Sequence, residues 1–292
     1  MAAPRRSLPF SKMHGIGNDF VVLDCRQTPF ALDAAQIRAM GDRHTGIGFD
    51  QLLTVEPARD PDSAFYYGIW NADGSPSGQC GNGVRCIAAW LHRAGAIADD
   101  ELLRIESPSG PVSVRLLAAD RVAVDMGEPD FSAAASGFDG GEQHLSVTLG
   151  TPPGPQAGTV VEFEVVSMGN PHAVAIVDTL DNPVLNAWGP ALTASSRFAY
   201  GVNAGFVQLV DRTQLRLRVH ERGAGWTLAC GTGACAAMAV LRRQGKVDER
   251  VQVALPGGRL QIDWPGPGST LWMTGPATFV FDGTWPLAAH MD

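Results

Sequence analysis

Five cysteines stand in the 292-residue chain, and two of them share one setting: Cys80 in CGNG and Cys230 in CGTG. A thiol becomes an effective base only where its surroundings favour the anion. The start of a helix, with unpaired N–H groups and a partial positive charge, is such a place. The same N–H groups bind a carboxylate. Two thiols facing each other at two such starts suit stereoinversion at the carbon beside that carboxylate. One thiolate removes the proton from one face, the opposite thiol delivers a proton to the other, and exchanged roles run the reaction backward. A Cα–H is a far weaker acid than a thiol of pKa about 8.5, so water exclusion and the two helix termini must stabilise the carbanion.

Other chemistries fit less well. Pyridoxal phosphate needs a Schiff-base lysine, and the only lysines are Lys12 and Lys246. Neither lies in a Gly-rich phosphate loop, and no G-x-G-x-x-G follows a strand in a βαβ pattern. The cysteine spacings, x5 from Cys80 to Cys86 and x4 from Cys230 to Cys235, differ from the C-x2-C pairs of structural zinc sites. No metal and no cofactor are expected. Cys86 and Cys235 read as buried helix residues and Cys25, in VVLDC, as strand core. The N-terminal MAAPRRSLPF lacks an apolar signal region, so a reducing cytoplasm is expected and structural disulfides are not. The net charge of −8 argues against nucleic acid, and no run approaches the ~18 apolar residues of a membrane span.

The elements that must position the two thiols come as a repeat. Residues 80–95, CGNGVRCIAAWLHRAG, align without gaps on 230–245, CGTGACAAMAVLRRQG, matching at 7 of 16 positions. GNDFVVLD from Gly17 resembles GNPHAVAI from Gly169, and Gln51 falls opposite Asn203, both at an offset of 152. Met126-Gly127 and Thr274-Gly275 close the two copies. Val84, Ile87, Ala88 and Leu91 follow helical spacing, as do Ala234, Ala237, Met238 and Leu241. Gly95 and Gly245 stand where a left-handed residue would end each helix. Alternating segments at 111–117, 121–126, 214–220, 250–255 and 258–264 read as strands. Residues 130–160, rich in Gly and Pro, read as the connection between copies, and TFVFDG (278–283) as an extra strand. The expected fold is mixed α/β of the α+β kind. It has two pseudo-symmetric domains, 1–128 with 277–292 and 129–276, each a mostly antiparallel sheet or barrel around a central helix, with the active site in the cleft.

KMHGIGNDF, GIGFDQL, NADGS…CGNGVRC, GNPHAV, VNAGF, ERGAGWTLACGTGACA and the ending MTGPATFVFDG together resemble the diaminopimelate epimerase family over almost the whole chain. The resemblance implies a cofactor-independent epimerase that interconverts LL- and meso-2,6-diaminopimelate for lysine and peptidoglycan synthesis. It also implies a cytoplasmic bacterial enzyme, often a homodimer, acting on a small molecule. Cys80 and Cys230 match the family's acid/base thiols, and Gly81, Asn82, Gly231 and Thr232 the helix starts around the reacting carboxylate. Asn18, Gln51, Asn71, Asn170, Asn203, Glu221 and Arg222 match substrate-binding positions. Arg222 can grip a distal carboxylate bidentately, Glu221 can accept an ammonium, and the amides can orient either group. His172 is a supporting residue.

His14, His44, His92, His144 and His220 read as structural or surface residues, and Arg85 as a packing or capping group. Three positions depart from the family's pattern: Trp226 replaces an acidic residue, SPSGQ replaces an acidic stretch before Cys80, and Gly201 replaces a basic residue. The alternatives are a same-fold racemase of the proline type, where CGHG is usual at the first cysteine, or an amino-acid-binding protein whose two thiols respond to oxidation.

Overall fold

Strands dominate and fall into two runs of the same order. The computed structural model describes residues 7–139, 144–149 and 159–287. The first run is β1 (Ser7–Gly15), β2 (Asn18–Asp24), α1 (Ala34–Gly41), β3 (Gln51–Pro57), β4 (Phe65–Asn71), α2 (Gly81–Arg93), β5 (Leu102–Ser107), β6 (Gly110–Ala118) and β7 (Arg121–Asp125). The second begins with β8 (His144–Leu149), β9 (Thr159–Ser167), β10 (Pro171–Ile176), α3 (Leu185–Thr193), β11 (Asn203–Asp211) and β12 (Gln214–Glu221). It continues with β13 (Gly225–Trp226), α4 (Gly231–Arg243), β14 (Arg250–Leu255), β15 (Gly258–Asp263) and β16 (Trp272–Pro276). The last strand, β17 (Thr278–Pro286), pairs with β1. Two compact units result: one holds the described residues through Val124 and from Gly275 onward, the other Asp125–Thr274.

The pairing inside each unit repeats. β2–β3 and β10–β11 are parallel, as are β4–β5 and β12–β14. The other neighbours, β17–β1–β2, β3–β4 and β5–β6–β7 in one unit and β8–β9–β10, β11–β12 and β14–β15–β16 in the other, are antiparallel. Even the register carries over: Phe20 lies opposite Gln51 and His172 opposite Asn203. Two sequence expectations change. The 130–160 segment is more than a connection, because it holds a short 3-10 turn at Ala134–Ser136, the strand β8 and the start of β9. β8 covers β9 as β17 covers β1, so TFVFDG is the partner of β8 in the repeat and not an extra strand. The alternation in HLSVTL carried that signal, but the flanking glycines and prolines masked it. Residues 140–143 and 150–158 of that segment lie outside the described residues.

The two cysteine helices are 13 residues each and are buried all round, from Asn82 to Leu91 in α2 and from Gly233 to Leu241 in α4. A helix buried on every face, with polar residues such as Arg85 bonded inside, needs cover on every side, which the strands of its own unit supply. Both helices end alike. Gly95 (φ 68°) and Gly245 (φ 70°) take left-handed conformations. The N–H groups of Gly95 and Ala96 bond His92 O and Leu91 O, and those of Gly245 and Lys246 bond Arg242 O and Leu241 O. These are paired Schellman caps. The helix α1 also had a readable start, since Asp33 and Gln36 form a reciprocal capping box. Pro190 lies inside α3 and hides it from propensity.

A Cβ at position 95 or 245 meets nothing within 4 Å, so the cost of alanine there is conformational. Gly95→Ala and Gly245→Ala are each expected to destabilise the chain by about 1 kcal/mol in urea unfolding, and the double variant by their sum.

Candidate active site

Cys80 is the N-cap of α2 and Cys230 the N-cap of α4, both with extended backbones (φ −141°, ψ 115° and φ −110°, ψ 102°). Neither carries the side-chain oxygen of the usual Ser, Asp or Asn cap, which leaves first-turn N–H groups for an incoming anion.

In the first unit, Asn18 opens β2 and its Oδ1 accepts from the Cys80 thiol at 3.6 Å and from Asn82 Nδ2 at 3.3 Å. The Cys80 N–H points to the hydroxyl of the buried Tyr67 at 3.5 Å. Gln51 and Asn71 face each other across β3 and β4, with Gln51 Nε2 donating to Asn71 Oδ1 at 3.1 Å. Ser75 Oγ, at the end of NADGS, accepts from Asn71 Nδ2 at 3.0 Å, and within the SPSGQ departure Ser77 Oγ lies 3.5 Å from Gln51 Nε2. Arg85 is fully buried and donates to the carbonyls of Pro276 and Gly81, a packing and capping role. Lys12 is tied to Asp19 at 2.5 Å and to the Gly48 carbonyl.

In the second unit, Glu221 ends β12 as Asn71 ends β4, and Asn203 opens β11 as Gln51 opens β3. Cys230 is 3% exposed, and burial pushes its thiol well above the ordinary range, reinforced by the Glu221 carboxylate. The Gly233 N–H and the Thr232 hydroxyl, 3.7 Å from the sulfur, pull the other way. Thr227 donates its hydroxyl to Glu221 Oε1. Asn203 Oδ1 accepts the Arg222 N–H at 2.9 Å, and the Arg222 guanidinium donates to the Tyr200 carbonyl. Gly201 explains one departure. It sits at φ 72°, and a Cβ there would lie 2.6 Å from Arg222 Cδ, so a longer side chain would displace the arginine.

His172 is fully buried on β10, and burial holds its pKa near 3, so the ring is neutral. Asn170 Oδ1, 3.1 Å from Nε2, can only accept; Nε2 therefore carries the hydrogen. Cys25 and Cys86 are bystanders whose thiols burial pushes up to about 12, and Cys235 is fully buried on α4. Among the described residues, no group of three His, Cys, Asp or Glu side chains could hold a metal ion, and no helix is long and apolar enough to cross a membrane.

The sequence model of the family described as "Diaminopimelate epimerase" matches residues 10–132 and 164–280, which includes both helix starts and every amide, acid and arginine named above. The chain belongs to the diaminopimelate epimerase family. A diaminopimelate epimerase of Xanthomonas axonopodis pv. citri is 49% identical over 290 residues, 98% of this chain and 99% of the relative. One from Xylella fastidiosa is 48% identical over 284 residues, 96% of this chain and 97% of the relative. Among solved structures, a hydroxyproline epimerase from Agrobacterium vitis superposes with a TM-score of 0.70 at 16% identity, covering 99% of this chain and 95% of its own. A PhzF-family phenazine biosynthesis protein from Bacillus anthracis gives 0.66 at 14% identity, with 97% and 100% covered. At such identities these two share the α+β fold. The family is one of isomerases acting on a small molecule.

Sequence reasoning passed over three neighbours of the predicted site: Tyr67 behind Cys80, Thr227 on Glu221, and Asp50, which accepts from Asn18 Nδ2 at 2.8 Å. Thr227 and Asp50 lie within quoted motifs, but only contact shows what they hold. Trp226, the acidic-to-aromatic departure, packs its ring against Phe206 and His220 at 5.9 and 5.3 Å, with the Arg218 guanidinium 4.2 Å over it.

Trp226 therefore anchors β13 to the core of its unit, and Trp226→Glu is expected to lower stability by about 2 kcal/mol in urea unfolding. His172 supplies a pH signature. With a folded pKa near 3 and an unfolded value near 6.5, the ring's contribution is whole above pH 6.5 and is lost as pH falls toward 3. The stability gap between the parent and His172→Gln should narrow by ~2 kcal/mol between pH 6.5 and 5.

Proposed function

We propose that this chain interconverts LL- and meso-2,6-diaminopimelate by two-base proton transfer, with Cys80 and Cys230 as the acid/base pair. What carries the reading is the presence of a cysteine at the equivalent helix start of each unit in a chain that matches diaminopimelate epimerases from end to end. The two halves of the repeat, 1–128 with 277–292 and 129–276, each contribute one thiol. In one direction a thiolate takes the Cα proton, electron density passes into the adjacent carboxylate held by first-turn N–H groups around Gly81, Asn82, Gly231 and Thr232, and the other thiol protonates the opposite face. Bonds and charge balance without an oxidant or a cofactor.

The remaining residues suit a substrate with two carboxylates and two ammonium groups. Glu221 accepts an ammonium, and that same encounter neutralises the carboxylate that disfavours a Cys230 thiolate. Arg222 grips the distal carboxylate, while Asn18, Gln51, Asn71, Asn170 and Asn203 orient the ligand. The enzyme works as a cytoplasmic homodimer, without nucleic acid or membrane. Proline is a poorer fit, since it offers nothing for Arg222 or Glu221, and CGNG stands where that class shows CGHG.

A substrate panel tests this directly. Turnover is expected with LL- and meso-diaminopimelate and none with proline or 4-hydroxyproline. Cys80→Ser and Cys230→Ser should each lose roughly 10²–10⁴-fold in kcat. Full retention by either variant, or preference for proline, contradicts the assignment.

A further inference from the structure

Asn18 can meet the Cys80 sulfur with either end of its amide, and the two ends have opposite effects. An amide oxygen accepts a hydrogen bond from a thiol and repels a thiolate; an amide NH2 donates to a thiolate and stabilises it. What decides between them lies one step further from the thiol. Asp50 Oδ2 sits 2.8 Å from Asn18 Nδ2, and an ionised carboxylate can only accept, so the NH2 must face Asp50. Oδ1 is thereby turned to Cys80 Sγ at 3.6 Å and Asn82 Nδ2 at 3.3 Å.

Asp50 is itself held from several sides. The Asp19 N–H donates to its Oδ2 at 3.1 Å, and Arg43 Nη2 reaches its Oδ1 at 2.6 Å. Arg43 also grips Asp19 through both oxygens at 2.8 and 3.0 Å, and the Asp50 N–H returns to Asp19 Oδ1 at 3.0 Å. With Lys12 on Asp19, two carboxylates and two cations form one cluster behind the substrate face. Lys12 and Asp19 are largely buried, whereas the side chains of Arg43 and Asp50 are 54% and 44% exposed; Asp50 is oriented by the Asp19 N–H and the Arg43 guanidinium acting together.

We infer that Asp50, braced by Arg43, is a positioning residue for epimerisation: it locks the Asn18 amide with its oxygen toward Cys80 and so sets the protonation preference of that thiol. The inference rests on the two-thiol reading above. Its consequence is directional. In this arrangement the first unit's thiol is held as a hydrogen-bond donor to Asn18 until substrate displaces or redirects that contact. The titratable groups that act on Cys80 within its unit include Tyr67 on β4 and Cys86 further along α2, both buried and neutral, and the buried Arg85 guanidinium stands close by, donating to the Gly81 carbonyl.

The test is the pH dependence of iodoacetamide alkylation at Cys80, read by peptide mass spectrometry on the full-length protein. Asp50→Asn frees the amide to rotate and present its NH2 to the sulfur. The alkylation midpoint should fall by on the order of half a pH unit, and kcat should drop with KM less affected. Asp50→Glu keeps an acceptor and should restore the parent midpoint. If Asp50→Asn does not fold, Asn18→Asp serves instead, and its carboxylate beside the sulfur should raise the midpoint by a similar amount. An unchanged Cys80 midpoint in folded Asp50→Asn, or in Asn18→Asp when the former does not fold, overturns the inference. Alkylation does not depend on turnover, so that failure is separate from a failure of the parent enzyme to epimerise diaminopimelate.

Discussion

Everything specific about this chain depends on how a fully buried helix begins. Burying α2 and α4 on all sides leaves the first-turn N–H groups as the ones without a partner inside the helix, and each helix has a cysteine at that end where a capping oxygen would ordinarily stand. The strands around each helix fix where that end points. A carboxylate meeting these N–H groups gains several charge-assisted hydrogen bonds, and a sulfur is already beside it. The Schellman caps at Gly95 and Gly245 close the opposite ends.

The repeat supplies one frame twice and then fills it with different chemistry. At equivalent strand ends, Asn71 corresponds to Glu221 and Gln51 to Asn203, and at equivalent helix positions Asn82 corresponds to Thr232. The first unit is furnished with neutral amides, and the second adds a carboxylate and a guanidinium to its own amides, Asn170 and Asn203. The two thiols are unequal in consequence. Cys230 is buried beside Glu221, which favours the protonated thiol, whereas Cys80 meets an amide oxygen whose orientation is held by a charged cluster. On the proposed reading, a reversible two-base reaction starts with one sulfur protonated and the other not, and substrate ammonium at Glu221 is the natural agent of that change.

Much of this is legible in the sequence alone. Helix starts, helix stops and five strands followed from periodicity and glycine placement, because amphipathic or wholly apolar segments bounded by glycine leave little choice. The repeat register was legible too: the 152-residue offset that aligns Gln51 with Asn203 reappears in the pairing of Phe20 with Gln51 and His172 with Asn203. What was hidden depends on tertiary contact. β8 lay inside a Gly- and Pro-rich stretch that reads as a linker, and α3 contains Pro190. Thr227 and Asp50 act by holding another side chain, which no local pattern announces. Gly201 is intelligible only once Arg222 is seen to occupy the space a side chain would need.

The central claim, one thiol for each face of Cα, is tested most directly by isotope content at low conversion in heavy water. LL-diaminopimelate is incubated with reduced enzyme, and both the product and the remaining substrate are examined by mass spectrometry. Two bases predict a meso product that carries solvent deuterium at the inverted carbon, while unreacted substrate keeps its hydrogen. Product that retains the substrate's own hydrogen would instead mean that a single group carries the proton between faces.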